Sequence, residues 1–433
     1  MKKSIYLNVI KGEQEYLLHN TLHGTLAKAK CITTRSIVDG LEEKGNLAYD
    51  DGHAFHRFLK DLNMIVPNDV DERSLLNYHF IEANKDVLQI ILFVTRQCNF
   101  RCTYCYEKHE NKRMDARVYD NLMQAIKIKV SAQGYKAVVL SFFGGEPMLE
   151  YDNICSFMKN MLEFADKGNI SIYGSMTTNA YLLTQEKLKK LVGLKIQNYQ
   201  ITVDGLKETH DSKRCLVGGG GTWERIVENL KDAKSSELDF EITLRTNFEA
   251  DASETIKDYL AFVSSNFADD KRFKIHLEAI KNLGGESGGN SLESIAEDKA
   301  FEKILSIAKE MKLRTSLFNF NFAPFGYMCY ASKNSSIAID TDGTLRKCTV
   351  DIDSAENAVG KLSDRGFEIE DTRTRCWTSY ELPKECHECK ILPLCYGRKC
   401  PSCTKGSSGC DATYCSTIRS YYENSIRYYY QVC

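Results

Sequence analysis

The chain has 433 residues, and its 57 Lys plus Arg against 59 Asp plus Glu give a formal net charge of -2. That length supports two or three domains with cores of their own and excludes a single small stapled fold. Near-neutral charge excludes the broad basic field of a nucleic-acid or membrane-surface binder, and no run approaches ~18 uninterrupted apolar residues.

The N-terminal MKKSIYLNVIKGEQEYLL is broken by charges before an apolar run of signal length develops, so the expected location is the cytoplasm. Residues 1–86 read as a small separate domain. They comprise strand-like SIYLNVI, hairpin-like EYLLHNTLHGTLAKA, helical TRSIVDGLEEK and HAFHRFLKDLN, and a closing MIVP. Residues 87–312 alternate strands with helices: VLQIILFVT (87–95), AVVLSFFG (137–144), ISIYGSMTT (170–178), YQITVDG (199–205), FEITLRTNF (240–248) and FKIHLEAI (273–280). The intervening ARVYDNLMQAIKIKV, ICSFMKNMLEFA, TWERIVENLKDAK and SETIKDYLAFVSS have helical periodicity. Continuous apolar strands indicate a parallel sheet covered on both faces. The expected fold is therefore α/β, with about six βα units forming a doubly wound sheet or a partial barrel whose ligands gather at the strands' carboxyl ends. The loop NLGGESGGNS (282–291) and a helix at about 294–312 lead into a tail over 313–433.

Seventeen cysteines, eleven of them from Cys329 to Cys433, point to metal ligation in a reducing compartment, since an odd total argues against a disulfide framework. Cys98, Cys102 and Cys105 follow the first strand with the spacing C-x3-C-x2-C. A structural zinc takes four ligands; three thiolates around an iron–sulfur cubane leave one iron open for chemistry. GGEP (144–147), TTNA (177–180) and Asp204-Gly205 end the second, third and fourth strands, so all these signals meet at one rim. There Arg214 can fork onto a carboxylate, Glu146 can accept from an ammonium, and Gly144 and Gly145 permit close backbone approach. Together these groups describe a pocket for an amino acid.

C-x3-C-x2-C with Tyr104 before the third cysteine resembles the signature of the radical S-adenosylmethionine (SAM) superfamily, and the resemblance extends over roughly 87–312. It implies a partial (β/α)6 TIM-like barrel, a [4Fe–4S] cluster on Cys98, Cys102 and Cys105, and SAM chelating the open iron. Reductive cleavage of SAM then yields a 5′-deoxyadenosyl radical that abstracts hydrogen from a substrate. It further implies that Gly144, Gly145 and Glu146 receive the SAM amino group, and that Thr202, where relatives more often have serine, and Arg214 hold its carboxylate.

In the tail, Cys329-x13-Gly343-x4-Cys348 and the C-x2-C-x5-C of Cys386, Cys389 and Cys395 resemble the SPASM extension of peptide-modifying members, which carries one or two auxiliary [4Fe–4S] clusters. The resemblance implies one cluster on Cys386, Cys389, Cys395 and Cys415, and another on Cys329, Cys348 and Cys400. Cys400 lies five positions after Cys395 where the pattern has four, and Cys403 and Cys410 are rival ligands. The second set either keeps an open iron or recruits Cys376, Cys403 or Cys410. On spacing alone a zinc ribbon fits equally well. Cys31, Cys155, Cys215 and Cys433 read as small buried hydrophobes.

Residues 1–86 resemble the winged-helix-like leader-recognition element of enzymes that modify ribosomally made peptides, with a precursor leader added to a strand edge; a plain capping domain is the alternative. The expected function is a peptide maturase that installs a cross-link, most simply a Cys thioether, with flavodoxin or ferredoxin as reductant. Neither nucleic acid nor a membrane is an expected partner. Carbon–carbon cross-linking, epimerisation and formylglycine-type oxidation are alternatives within the enzyme class. Thr349 follows Cys348 where formylglycine-forming relatives have an acidic base. A zinc-binding interaction protein is the alternative from another class.

Overall fold

The computed structural model describes residues 1–248, 253–280, 322–378 and 384–397, together with 304, 306–308, 310, 311, 313, 382, 419 and 422–427. The expected 282–291 loop and most of the 294–312 helix lie outside the described residues, as do Cys400, Cys403, Cys410, Cys415 and Cys433.

At the N-terminus, β1 (Lys2–Lys3) pairs with β5 (Ile65–Val66), and β2 (Leu7–Lys11), β3 (Tyr16–Asn20) and β4 (Thr25–Ala29) form an antiparallel sheet with β3 central. Helix α1 (Ile32–Lys44) starts at Cys31, whose Sγ accepts from Thr34 N, and stops where Gly45 turns left-handed at φ 68°. With α2 (Ala54–Asp61) it buries Val38, Leu41 and Leu59 against Leu7, Leu18 and Ile65. A third helix, α3 (Glu72–Lys85), is capped by Asp71 and was not evident in the sequence pattern. Its buried Glu72 accepts from Ser4 Oγ at 2.5 Å and Ile5 N at 2.9 Å, tying the helix to the link between β1 and β2.

The main sheet begins at β6 (Val87–Thr95). A short β7 (Phe100–Cys102) follows, then α4 (Ala116–Gln133), β8 (Ala137–Gly144), α5 (Tyr151–Gly168), β9 (Ser171–Thr178), α6 (Gln185–Gly193) and β10 (Ile196–Thr202). Next come α7 (Lys207–Lys213), β11 (Arg214–Leu216), α8 (Trp223–Ser235), β12 (Glu241–Phe248), α9 (Ser253–Asn266) and β13 (Phe273–Ala279). Six strands run parallel in the order β13-β12-β10-β9-β8-β6. The sheet then continues past the expected 312/313 boundary. β14 (Ser336–Ile339) pairs parallel with β6, and β15 (Thr344–Arg346), β16 (Ala358–Ser363) and β17 (Gly366–Ile369) extend it antiparallel.

The two faces of this sheet are unequally covered. Val138, Leu140 and Phe142 pack with Leu122 and Ile126 of α4 and Ile154 and Met158 of α5, whereas Val139, Ser141 and Phe143 are half-buried on the other face. β12 alternates in the same way, with Ile242, Leu244 and Phe248 in the core and Thr243, Arg245 and Asn247 opposite them. The expectation of two fully covered faces holds for β6, whose Ile91 and Phe93 are buried with Ala338 and Ile352 on the other side, but not for β8 and β12, which have a helix-covered side and a more polar inner side.

Candidate active site

The cysteine loop leaves the end of β6 through Arg96, a 2 % exposed guanidinium that forks onto Asp340 at 2.9 and 2.7 Å. Asp340 also accepts from Arg346 Nε at 3.0 Å, so the loop is anchored to the β14–β15 turn. Beyond Cys98, β7 pairs antiparallel with β11, which sets Cys102 directly opposite Arg214. Phe100 is fully buried beneath the loop, and its N–H donates to Cys98 Sγ at 3.4 Å.

Gly144 and Gly145 press against this loop. Gly145 N donates to Thr95 O at 3.0 Å and Glu146 N to Gln97 O at 2.8 Å. A Cβ would stand 2.2 Å from Thr95 O at Gly144, where φ is +118°, and 2.0 Å from Gln97 O at Gly145. Close approach is thus required first by the cysteine loop itself. Glu146, 1 % exposed, accepts from Thr178 Oγ1 at 2.6 Å and Met148 N at 2.9 Å through Oε1, and from Asn179 N at 2.7 Å through Oε2. Burial raises its pKa against the pull of these donors. The carboxylate thereby joins the ends of β8 and β9. Asn179 in turn donates to Asn99 Oδ1 at 2.8 Å and lies 4.0 Å from Cys98 Sγ.

Tyr104 is the hub of the opposite wall. Its hydroxyl receives Arg214 Nη1 at 2.6 Å and Asn247 Nδ2 at 3.1 Å and donates to Asp204 Oδ2. Asp204 is held by Asn247 N at 2.7 Å through its other oxygen and lies 4.0 Å from Arg214. Burial opposes the charge on Arg214, but Cys102, Tyr104 and Asp204 more than offset it and keep the guanidinium firmly protonated. Its Nε is buried and has no hydrogen-bond partner among the described residues. Thr202, 8 % exposed, ends β10 beside Arg245 of β12.

Behind this wall lies a buried chain that the sequence did not reveal. Asp204 N donates to His210 Nδ1 at 3.1 Å, so Nε2 carries the proton and donates to Thr222 Oγ1 at 3.1 Å, and that hydroxyl donates to Arg214 O at 2.6 Å. Burial, reinforced by Arg214, pushes His210 down to about 3, so the imidazole is neutral and fixed in one tautomer. In the sequence it lies at the start of HDSKR (210–214), the segment that ends in Arg214.

These residues fit an iron–sulfur cluster and an amino-acid ligand. Cys98, Cys102 and Cys105 are free thiols within electrostatic reach of one another, and burial raises all three, Cys105 to about 11. As thiolates they need cationic partners beyond Arg214, which irons provide. The orphaned Arg214 Nε is a donor left for a carboxylate. Among the described residues no three His, Cys, Asp or Glu side chains close around a single-ion site.

In the tail, Cys348 is 5 % exposed and its Sγ accepts from Val350 N and Asp351 N, each at 3.4 Å. Asn357, fully buried, clamps its turn: Oδ1 accepts from Lys347 N and Cys348 N at 2.9 and 2.8 Å, and Nδ2 donates to Cys348 O and Asp351 O at 2.8 and 2.9 Å. Cys329 begins the Tyr330–Ser332 turn, against which the helix Asp371–Thr378 packs with Cys376 exposed. Cys386 and Cys389 share one turn, with Cys389 N donating to Cys386 O at 3.1 Å, and Cys395 ends the helical turn that follows. Of the cysteines read as buried hydrophobes, Cys155 is buried and Cys215 partly so. Cys31 is a correction: it is exposed, because it serves as the cap of α1.

Comparison with known proteins bears on this geometry. Residues 92–258 match the Radical SAM superfamily. The chain is 22% identical over 368 residues to a cysteine-type anaerobic sulfatase-maturating enzyme of Clostridium novyi, covering 79% of this chain and 96% of that one. The fold resembles the solved structure of anSMEcpe with bound AdoMet, at TM-score 0.61 and 18% identity over 80% of this chain and 95% of that chain. It also resembles Streptococcus suis SuiB bound to precursor peptide SuiA, at TM-score 0.53 and 13% identity over 94% of this chain and 97% of that chain.

Proposed function

Because this chain carries a radical SAM domain and is a SAM-dependent enzyme, we propose that it modifies a ribosomally made precursor peptide by hydrogen abstraction and installs a cross-link, a Cys thioether. When bound, the [4Fe–4S] cluster and SAM supply the 5′-deoxyadenosyl radical. The observation that carries the site assignment is the buried, unpartnered Nε of Arg214 opposite Cys102. In this reading Arg214 receives the SAM carboxylate with Thr202 beside it, Tyr104 and Asp204 hold the guanidinium in place, and Gly144, Gly145 and Glu146 set the rim that faces the amino group.

The peptide assignment is supported by similarity to SuiB, whose solved complex contains a precursor peptide, over nearly the whole chain. Residues 1–86 would take the leader on the edge of the β2-β3-β4 sheet. Cys329 and Cys348, and Cys386, Cys389 and Cys395, would hold auxiliary clusters in a SPASM-type domain, completed by late cysteines among Cys400, Cys403, Cys410 and Cys415. A flavodoxin or ferredoxin would supply electrons.

Similarity to a sulfatase-maturating enzyme favours a second reading, oxidation of a peptide Cys to formylglycine. Thr349 weighs against it, since this residue is bonded to the Tyr330 hydroxyl at 2.7 and 2.8 Å and offers no carboxylate. Co-expression with a short reading frame beside the gene, followed by mass spectrometry, separates the two. A thioether removes two hydrogens and leaves the thiol unalkylatable; an aldehyde trapped by a hydrazide supports formylglycine; an unchanged peptide removes both.

A further inference from the structure

On β13, Phe273, Ile275 and Leu277 belong to the helix-side core, so strand alternation puts His276 and Glu278 on the inner face. Arg245 and Asn247 of β12 lie on that same face, where Asn247 reaches Tyr104 of the cysteine loop. Register sets Thr202 beside Arg245, Arg245 beside His276, and Asn247 beside Glu278. Neighbouring parallel strands stand about 4.8 Å apart, so a continuous polar row runs from Tyr104 into the barrel.

The imidazole of His276 is 3 % exposed, with Nε2 at 3.2 Å from Glu278 Oε2. An ionised carboxylate only accepts, so Nε2 carries a proton, and in the neutral imidazole Nδ1 keeps a lone pair. That Nδ1 is buried and has no hydrogen-bond partner among the described residues. A buried acceptor in this state is satisfied by a ligand that donates to it. Arg245 donates from Nε to Asn247 Oδ1 at 3.0 Å, and no bond to its terminal nitrogens is found among the described residues, so they are available to an anion.

We propose that this row is the substrate's proton-accepting subsite: His276, oriented by Glu278, takes the proton of the reacting peptide thiol, and Arg245 holds the resulting sulfur anion. The inference rests on the peptide cross-linking reading. In the step, one hydrogen atom leaves a peptide carbon for the 5′-deoxyadenosyl radical. The S–H proton passes to His276 Nδ1, the thiolate held by Arg245 then forms the C–S bond with the carbon radical, and the surplus electron goes to an oxidised iron–sulfur cluster of the enzyme. The imidazole–carboxylate pair thus works as a general base held in one tautomer.

The test uses anaerobically reconstituted full-length holoenzyme and the precursor peptide encoded beside the gene, with 5′-deoxyadenosine and cross-linked peptide measured in the same reaction. His276→Gln, which keeps a hydrogen-bonding side chain without basicity, lowers cross-links per 5′-deoxyadenosine by about 100-fold or more, the lower end of the usual general-base contribution. Added imidazole restores part of that ratio in His276→Ala, and Glu278→Gln lowers it by less than His276→Gln. A wild-type ratio in His276→Gln, or parallel loss of both products without rescue, overturns the proposal. A wild-type holoenzyme that leaves the peptide's mass unchanged removes the cross-linking reading instead.

Discussion

The two cysteine turns at 98–105 and 386–395 are fixed in opposite ways. The first is held by the barrel that carries it: β7 pairs with β11, Gly145 and Glu146 bond to Thr95 and Gln97, and Asn179 reaches Asn99. The second is held by the N-terminal region. Lys390 O, in the middle of that turn, accepts from Asn8 Nδ2 at 3.1 Å and Thr21 Oγ1 at 2.5 Å. Tyr396 stacks on Phe80 of α3 at 4.1 Å and donates to Asn77 at 2.8 Å. Cys386 is buried among Tyr6, Leu22, Leu76, Phe325 and Met328. One site is therefore internal to a sheet, whereas the other is a joint between sequence-distant segments, and perturbations at the joint should leave the first site intact.

Among single substitutions the largest effect is expected at Gly145, where a Cβ meets backbone and cannot swing aside. Gly145→Ala displaces the cysteine loop and should lower 5′-deoxyadenosine formation by about 100-fold, the order produced by ångström-scale misplacement. Gly193→Ala, at a position with open space, should be near wild type in the same assay. Arg214→Lys keeps the charge but loses the fork. Equilibrium dialysis of the reconstituted protein should show SAM binding weakened by about tenfold.

Asn357→Ala removes four hydrogen bonds from the Cys348 turn. It should cost about 2–3 kcal/mol of stability and lower bound iron by up to about four per chain, while the spectrum of the radical SAM cluster persists. Thr21→Val, the mildest change, deletes one bond to Lys390 O. It should lower stability by about 1 kcal/mol in denaturant titrations and leave SAM cleavage unchanged.

The barrel was legible because its strands are long and apolar and its helices amphipathic; the expected limits of β6 and β8 coincide with the observed ones. α3 was not, because its pattern is blurred by exposed Tyr78 and Ile81 and by a buried Glu72. Four-residue β14 could not be assigned beside β6, since a pairing across 247 positions leaves no local mark. Within the site, cysteine spacing and GGEP were readable as linear signals. The roles of Asn247 and His276 depend on register and on which face a strand turns inward, and those of Asp204 and His210 on how α7 folds back against the end of β10, none of which exists before the sheet is assembled.

The most direct measurement compares two triple variants of the holoenzyme, Cys98, Cys102 and Cys105 to Ala in one and Cys386, Cys389 and Cys395 to Ala in the other, for 5′-deoxyadenosine and cross-linked peptide. The first set should abolish both products. The second should retain 5′-deoxyadenosine formation and lose the cross-link. Radical chemistry surviving the first set, or full cross-linking surviving the second, would contradict this division of labour.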